Sequence, residues 1–284
     1  MYTASVETEL GSLVLTQNEA QWQLVSIVGL NPPNAQINTT TIAGMDGAKF
    51  NSSKLNTRNL VLTIRINGNV DSNRMLLYRM FRTKELVTFY YQHNSIDVMA
   101  RGYVDTCTCD IFKKGEQMQV SIICPFPYWQ SVDEIISDIS NSQPSFTFPF
   151  TINSGEPVVI SSYVSDRQTV VYNDTDTDTG MTIEIDFKNG VEEFFLANGN
   201  GEYFGLDEAF VTGDKVIVNT VKGQKNVQLV RDGETTGLFG ALQPGSTFFQ
   251  LKPGVNRFWY ECDGGMTDSA VSVVLKYRKQ YRGV

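Results

Sequence analysis

A single histidine, His93, is all that this sequence offers for proton transfer near neutral pH. It stands in Tyr90-Tyr91-Gln92-His93-Asn94-Ser95, which reads as an exposed turn after a strand. There is no Gly-x-Ser-x-Gly elbow and no phosphate loop ending in Gly-Lys-Ser or Gly-Lys-Thr. Glu192-Glu193 and the other acids supply carboxylates, but no spacing selects two of them at the separation glycoside hydrolysis needs. No catalytic, cofactor-binding or metal-ligating residue is therefore assigned, and no enzymatic activity is expected. Cysteine is scarce as well. Cys107, Cys109, Cys124 and Cys262 are too few and too uneven for a disulfide framework in a chain of 284 residues. Cys107 and Cys109 share one face of a strand, yet a metal site needs further ligands and only Cys124 is a candidate, so free thiols are expected.

Long apolar runs are missing too. None approaches the roughly 18 residues of a spanning helix. The start, Met1-Tyr2-Thr3-Ala4-Ser5-Val6-Glu7, lacks a basic segment followed by an apolar one. Synthesis and folding in cytoplasm, with no membrane partner, are expected. Nor is there a basic excess. The net charge is −8, divided into 11 Lys+Arg against 12 Asp+Glu up to Glu134 and 12 against 19 beyond it. An acidic second half argues against a nucleic-acid partner and reads as a solvated surface.

Alternation is what the chain does have. Leu60, Leu62, Ile64 and Ile66 fall on one side and Asn59, Thr63, Arg65 and Asn67 on the other. Met181, Ile183, Ile185 and Phe187 alternate with Thr182, Glu184, Asp186 and Lys188, and Val271, Val273, Leu275 and Tyr277 repeat the pattern. Period 2 means half-buried strands of antiparallel sheets. Asp46-Gly47, Asn189-Gly190, Asp232-Gly233 and Pro253-Gly254 supply turns. Residues 72–84 (SNRMLLYRMFRTK) are the exception, an amphipathic helix with Asp71 as cap and the pairs Leu76/Met80 and Leu77/Phe81 as its apolar stripe. Pro125-Phe126-Pro127-Tyr128-Trp129 ends the first strand-rich block, and a polar stretch, Ser137 to Pro144, follows. The expected organisation is a first domain over 1–134, a linker over 135–144 and a second domain over 145–284, mainly β with one helix.

Two segments invite a ligand. In 173–180 the acids alternate as in a calcium loop. However, counting from Asp174 the sixth place holds Thr179 instead of glycine and the twelfth holds Ile185 instead of glutamate. A polar hairpin loop between strands over 169–172 and 181–188 is the expectation. The second half carries Phe194, Phe195, Tyr203, Phe204, Phe248, Phe249, Phe258, Trp259 and Tyr260. Core packing accounts for most of them, with a carbohydrate-binding adhesion module as the alternative reading.

The order of pieces then carries a resemblance. In the first half these are 37–47, Arg58–Ile66, the basic helix with Leu77-Tyr78-Arg79, Val87-Thr88-Phe89-Tyr90-Tyr91, Ala100-Arg101-Gly102-Tyr103-Val104 and the closing 120–129 (VSIICPFPYW). In the second they are 212–220 (TGDKVIVNT), Gly223-Gln224-Lys225-Asn226-Val227, 246–254 (STFFQLKPG) with Asn256, and a last strand ending Tyr281-Arg282-Gly283-Val284. The chain resembles the distal tail proteins of long-tailed, siphophage-type bacteriophages or prophages. The resemblance implies an N-terminal β-sandwich or split-barrel-like domain with one helix. It also implies a C-terminal galectin-like or carbohydrate-module-like antiparallel sandwich. It further implies a structural hub of the tail tip or baseplate, made in the host cytoplasm and carried on the virion. In such a hub the N-terminal domains close a hexameric ring between the tail tube protein and a tail-associated hub, hydrolase or receptor-binding protein, with the tape-measure protein as a further neighbour. Inserted sugar-binding modules of some relatives have no room here. Subunit contacts are expected from the loop over 31–51 and from an edge at Arg58–Ile66.

Overall fold

The computed structural model describes residues 2–16, 20–139, 142–144, 161–163, 168–262 and 271–284. The chain forms two compact units, Met1–Val132 with Gln280–Val284, and Asp133–Lys279.

The first unit contains β1 (Tyr2–Thr8), β2 (Gly11–Leu15), β3 (Trp22–Val28), β4 (Ala35–Thr40), β5 (Lys49–Leu55), β6 (Arg58–Ile66), α1 (Val70–Met80), β7 (Leu86–His93), β8 (Ile96–Cys109), β9 (Gln117–Cys124) and β10 (Trp129–Ser131). Its main sheet runs β2-β1-β7-β8-β9-β6-β3. The outer strands meet: the Leu24 amide donates to the Thr16 carbonyl at 2.9 Å and Trp22 Nε1 to the Val14 carbonyl at 3.0 Å. The sheet therefore curls toward a split barrel. Its interior is the alternating set read from the sequence, Leu60, Leu62, Ile64 and Ile66, with Val6, Phe89, Val120 and Ile122.

The helix starts two residues before its expected span and stops at Met80. Asn69, not Asp71, is its cap, accepting from the Ser72 amide at 3.4 Å. Asp71 instead pairs with Arg74, whose other partner is Glu116. Arg82 to Lys84 turn back into the sheet, with the Lys84 amide on the Val104 carbonyl at 2.8 Å and a left-handed φ of 73° at Lys84. The buried face is Asn73, Leu77 and Phe81, four residues apart, with Met80 half-buried against the same core; of the expected stripe only Leu76, 40% exposed, faces outward. Asn73 is held by the Asn67 carbonyl at 2.7 Å.

The second unit contains β11 (Ile135–Asp138), β12 (Ser142–Pro144), β13 (Ser161–Tyr163), β14 (Gln168–Asn173), β15 (Met181–Phe187), β16 (Val191–Asn198), β17 (Tyr203–Phe210), β18 (Lys215–Asn219), β19 (Asn226–Arg231), β20 (Glu234–Gly237), β21 (Gly254–Cys262) and β22 (Val271–Tyr277). One sheet is β11-β22-β15-β18-β19-β20 and the other is β14-β21-β16-β17. Both turn alternate residues into one core, among them Ile183, Ile185, Val216, Val273, Phe194, Leu196, Phe204 and Phe258. This is a face-to-face antiparallel sandwich. Across it Phe187 stacks on Phe210 at 4.0 Å between ring centroids. Asp232-Gly233, both with positive φ, close the tight β19–β20 hairpin.

Two sequence expectations need correction here. The span 135–144 does not begin as a linker: Ile135–Asp138 is a strand paired with β22, and Ile139 is fully buried in the second core. Ser137 and Asp138 made the segment look like a junction, but the strand alternates, with Ile135 and Ser137 half-buried and Ile136 and Asp138 exposed. Residues 174–180 are not a hairpin loop either. They cross from β14 in one sheet to β15 in the other.

The chain finally returns to the first unit as β23 (Gln280–Tyr281), which pairs with β10, Trp129 opposite Tyr281 and Gln130 opposite Gln280. The second unit is thus an insertion within the first. Arg58 fastens the junction. It keeps the inward phase of β6 and is 1% exposed. Its guanidinium donates to the carbonyls of Pro127 at 3.0 Å, Asn31 at 2.9 Å and Arg282 at 2.6 Å, and also to that of Gly29. It also lies over the Trp129 ring at 4.9 Å. Burial pushes its pKa down to about 10, so it stays charged at neutral pH.

Arg58→Ala should lower the stability of the first unit by roughly 3 kcal/mol, because it strands several buried carbonyls. Arg101→Ala, at an exposed site, should cost about 0.5 kcal/mol or less. Urea unfolding of the full chain reads both. Leu77→Asp should cost roughly 3–5 kcal/mol by placing an unpaired charge in the core. Leu76→Asp on the open flank should stay within about 0.5 kcal/mol, and equal losses in the same assay would contradict the buried face assigned to α1.

Candidate functional site

The residues that could carry chemistry are kept apart or turned inward. His93 is half-buried as the last residue of β7, opposite Ile96 and Tyr2, and Asn94 with a φ of 54° makes the turn that follows. Cys107 and Cys109 do share a face of β8, but they have different neighbours: Met118 Sδ lies 3.5 Å from Cys107 Sγ, and Glu116 lies 3.7 Å from Cys109 Sγ. Cys124 is buried. Burial pushes the thiols of Cys107 and Cys124 up to about 11, so both are protonated and unreactive at neutral pH. Glu192 and Glu193 are exposed at a bulge of β16. Among the described residues, no group of three or more His, Cys, Asp or Glu side chains could hold a metal ion.

The calcium-like segment is built for packing. Thr175, Thr177 and Thr179 are buried while Asp174 and Asp176 are exposed. Asp174 pairs with Lys279 at 2.6 Å and Asp178 with Lys252 at 2.8 Å. Asn173 organises the crossing. It donates to the carbonyls of Thr177 at 3.0 Å and Leu251 at 3.2 Å, and accepts from Thr175 Oγ1 at 2.8 Å. Strand-like alternation points the carboxylates outward in a row rather than around one point.

The aromatics divide as alternation requires. Phe194, Phe204, Phe249, Phe258 and Tyr260 are buried in the second core. Phe195, Tyr203, Phe248 and Trp259 are half-buried, with Phe195 stacked on Tyr203 at 5.0 Å. The motif residues of the second half are turn fasteners. Asp214 accepts from the Val211 amide at 2.9 Å and holds Arg231 Nε at 2.8 Å, and that hydrogen bond to Arg231 leads the causes that keep its carboxyl below the usual range. Asn256 accepts from the Lys252 amide at 2.8 Å and donates to its carbonyl at 2.7 Å, closing the Pro253-Gly254 turn.

The first unit also carries exposed apolar side chains on a projecting element. β4 and β5 form a two-stranded sheet of their own, with every residue exposed except half-buried Leu55. Its base is closed by the Asn56 amide on the Asn34 carbonyl at 2.9 Å. Ile37 is 63% exposed, Met45 67% and Phe50 60%. This arm coincides with the loop over 31–51 singled out above. The other expected contact, an edge at Arg58–Ile66, is not an edge. β6 is hydrogen-bonded to β9 on one side and β3 on the other, which uses up its backbone groups. A second exposed feature gave no periodic signal in the sequence: the β8–β9 turn, where Phe112 is 94% exposed.

Two antiparallel β units, with their chemistry-bearing residues dispersed among the described positions, define the class of mainly β proteins to which this chain belongs. Comparison with known proteins agrees. Residues 10–118 match the phage tail protein RIFT-related domain, and residues 174–281 match the siphovirus-type tail component, C-terminal domain. The solved structure of the Dit protein of phage SPP1, described as a paradigm of the hub adsorption apparatus in phages infecting Gram-positive bacteria, is similar over 99% of each chain, with a TM-score of 0.67 and 15% identity. A chain of the activated baseplate of phage P2 with calcium is similar over 100% of each chain, with a TM-score of 0.54 and 12% identity. Its counterpart in the strontium form covers 97% of this chain and 98% of that one, with a TM-score of 0.53 and 12% identity. No curated protein matches the sequence. The chain belongs to the distal tail protein family of siphophage-type tails, with a structural role at the tail tip.

Native protein at pH 8 should react slowly or not at all with a thiol reagent at Cys107 and Cys124, and both should react at once in denaturant. Rapid native labelling of Cys124, read by mass spectrometry, would contradict its burial.

Proposed function

We propose that this chain is a non-catalytic, ring-forming hub of the tail tip. Copies of the first unit close a hexameric ring between the tail tube protein and a tail-associated hub, hydrolase or receptor-binding protein, with the tape-measure protein as a neighbour. The chain is made in the host cytoplasm and carried on the virion, with no membrane and no sequence-specific nucleic acid among its partners. Among the described residues no helix is long and apolar enough to cross a membrane. The similarity to the SPP1 Dit protein, of a hub adsorption apparatus, and to a chain of the P2 baseplate supports this place in the tail.

The β4–β5 arm is the observation that carries the reading. A lone two-stranded hairpin is marginal in water. Exposing Ile37, Met45 and Phe50 on it costs hydrophobic free energy that a neighbour recovers. In a ring of like subunits that neighbour is the next copy, meeting the arm through a different surface. The charge distribution is consistent with this, since the first 134 residues are nearly neutral and the acidic excess lies beyond them. A sugar-binding role for the second unit has weaker support, since five of its nine singled-out aromatics are core residues.

Replacing residues 35–55 by a short Gly-Ser link between Asn34 and Asn56 should leave the chain folded and monomeric. The unaltered chain should grow in mean mass as concentration rises, measured by light scattering. Equal masses for the two chains at every concentration would overturn the arm's role.

A further inference from the structure

Two apolar surfaces of the first unit stand at opposite ends of its barrel. β6 spans nine residues, roughly 25–30 Å of strand. The arm is inserted between β3 and β6 at the Arg58 end, where its base closes between Asn34 and Asn56. The β8–β9 turn lies beyond the other end, where the Ile66 amide bonds the Glu116 carbonyl at 2.9 Å. The turn is a fixed shape. Asp110 and Lys113 pair across it at 2.7 Å, and Gly115 takes the left-handed φ of 78° that closes it. At its tip Ile111 is 47% exposed and Phe112 94%. It is a preorganised apolar knob with Lys113 and Lys114 beside it. The arm tip offers a recess of about 280 Å³, lined by Ile42, Met45, Asp46, Gly47, Ala48 and Lys49.

We propose that the Ile111-Phe112 knob of one copy seats in the arm-tip recess of the next, with Lys114 facing Asp46. This rests on the ring reading above and names the contact that builds it. A ring requires a head-to-tail contact between two different surfaces, and these two lie at opposite ends of one barrel. Both expose apolar side chains, so seating one in the other removes both from water. A knob-to-knob contact would stop at a dimer and oppose Lys113-Lys114 to its own copy. The recess carries Asp46 beside Lys49, so its charge is balanced and not repulsive, and Lys114 against Asp46 fixes register.

The test uses the full chain carrying Met45→Cys and Phe112→Cys together. It is oxidised at a concentration where the unaltered chain associates and then resolved without reductant. A ladder of covalent species beyond the dimer is expected, and each single variant should match the unaltered chain. A disulfide dimer from Phe112→Cys alone would show a symmetric knob contact and overturn the proposal. So would absence of cross-linking in the double variant while light scattering shows it associated; that result leaves the ring reading standing. A chain monomeric at every concentration would end both. In a second arm, Lys114→Asp should weaken self-association about tenfold, the loss of one charge-assisted contact of about 1.4 kcal/mol. Adding Asp46→Lys should restore it, and failure of the pair to rescue would count against the Lys114–Asp46 contact.

Discussion

Arg58 is the constraint on which the first unit's architecture rests. A buried guanidinium without a carboxylate partner is costly, and here backbone carbonyls from three separate stretches of chain take the carboxylate's place. Gly29 and Asn31 lie where the chain leaves β3 for the arm. Pro127 lies just before β10, and Arg282 just after β23. One side chain therefore fixes the root of the arm and both connections to the inserted unit. Trp129, fully buried beneath it and donating from Nε1 to the Leu30 carbonyl at 3.3 Å, ties the same stretches together through packing. The closing Cys-Pro-Phe-Pro-Tyr-Trp stretch is distinctive because it must bring Pro127 and Trp129 to this guanidinium.

The division of labour between the units follows from what each leaves exposed. In the second unit the two sheets share one core, the crossing segment is stitched by Asn173 and turns are closed by Asp214 and Asn256, while Tyr172 and Val255 stay exposed on the outer face of one sheet. The first unit buries its barrel equally well but projects an arm and a knob that its own fold does not cover.

Much of this was legible in the sequence. Wherever one face of a strand meets a core, period 2 appears, as in Leu60–Ile66 and Met181–Phe187. What failed had physical causes. Ser137 and Asp138 sit on a short edge strand, Ser137 on its half-buried side and Asp138 on its open side, and that polar composition is also a linker's. The helix cap is Asn69 because the helix begins at Val70, which puts Asp71 inside the first turn, where it pairs with Arg74. Arg58 could have been found, since it continues the inward phase of Leu60, Leu62 and Ile64, a position where a charge needs a reason. The true edges of the barrel could not, because pairing between β3 and β6 is a long-range fact. The knob at Phe112 is one ring on a turn, without the repetition that periodicity detects.

The pairing of β10 with β23 bears on how the molecule carries mechanical load. Gln130 and Gln280 are neighbours across two strands, so a pull on the inserted unit is shared by two chain segments leaving side by side. Each segment reaches a carbonyl held by Arg58 within three residues, at Pro127 on one strand and Arg282 on the other. Tension would have to peel both strands and extract a charged group from its carbonyl cage before the barrel gave way.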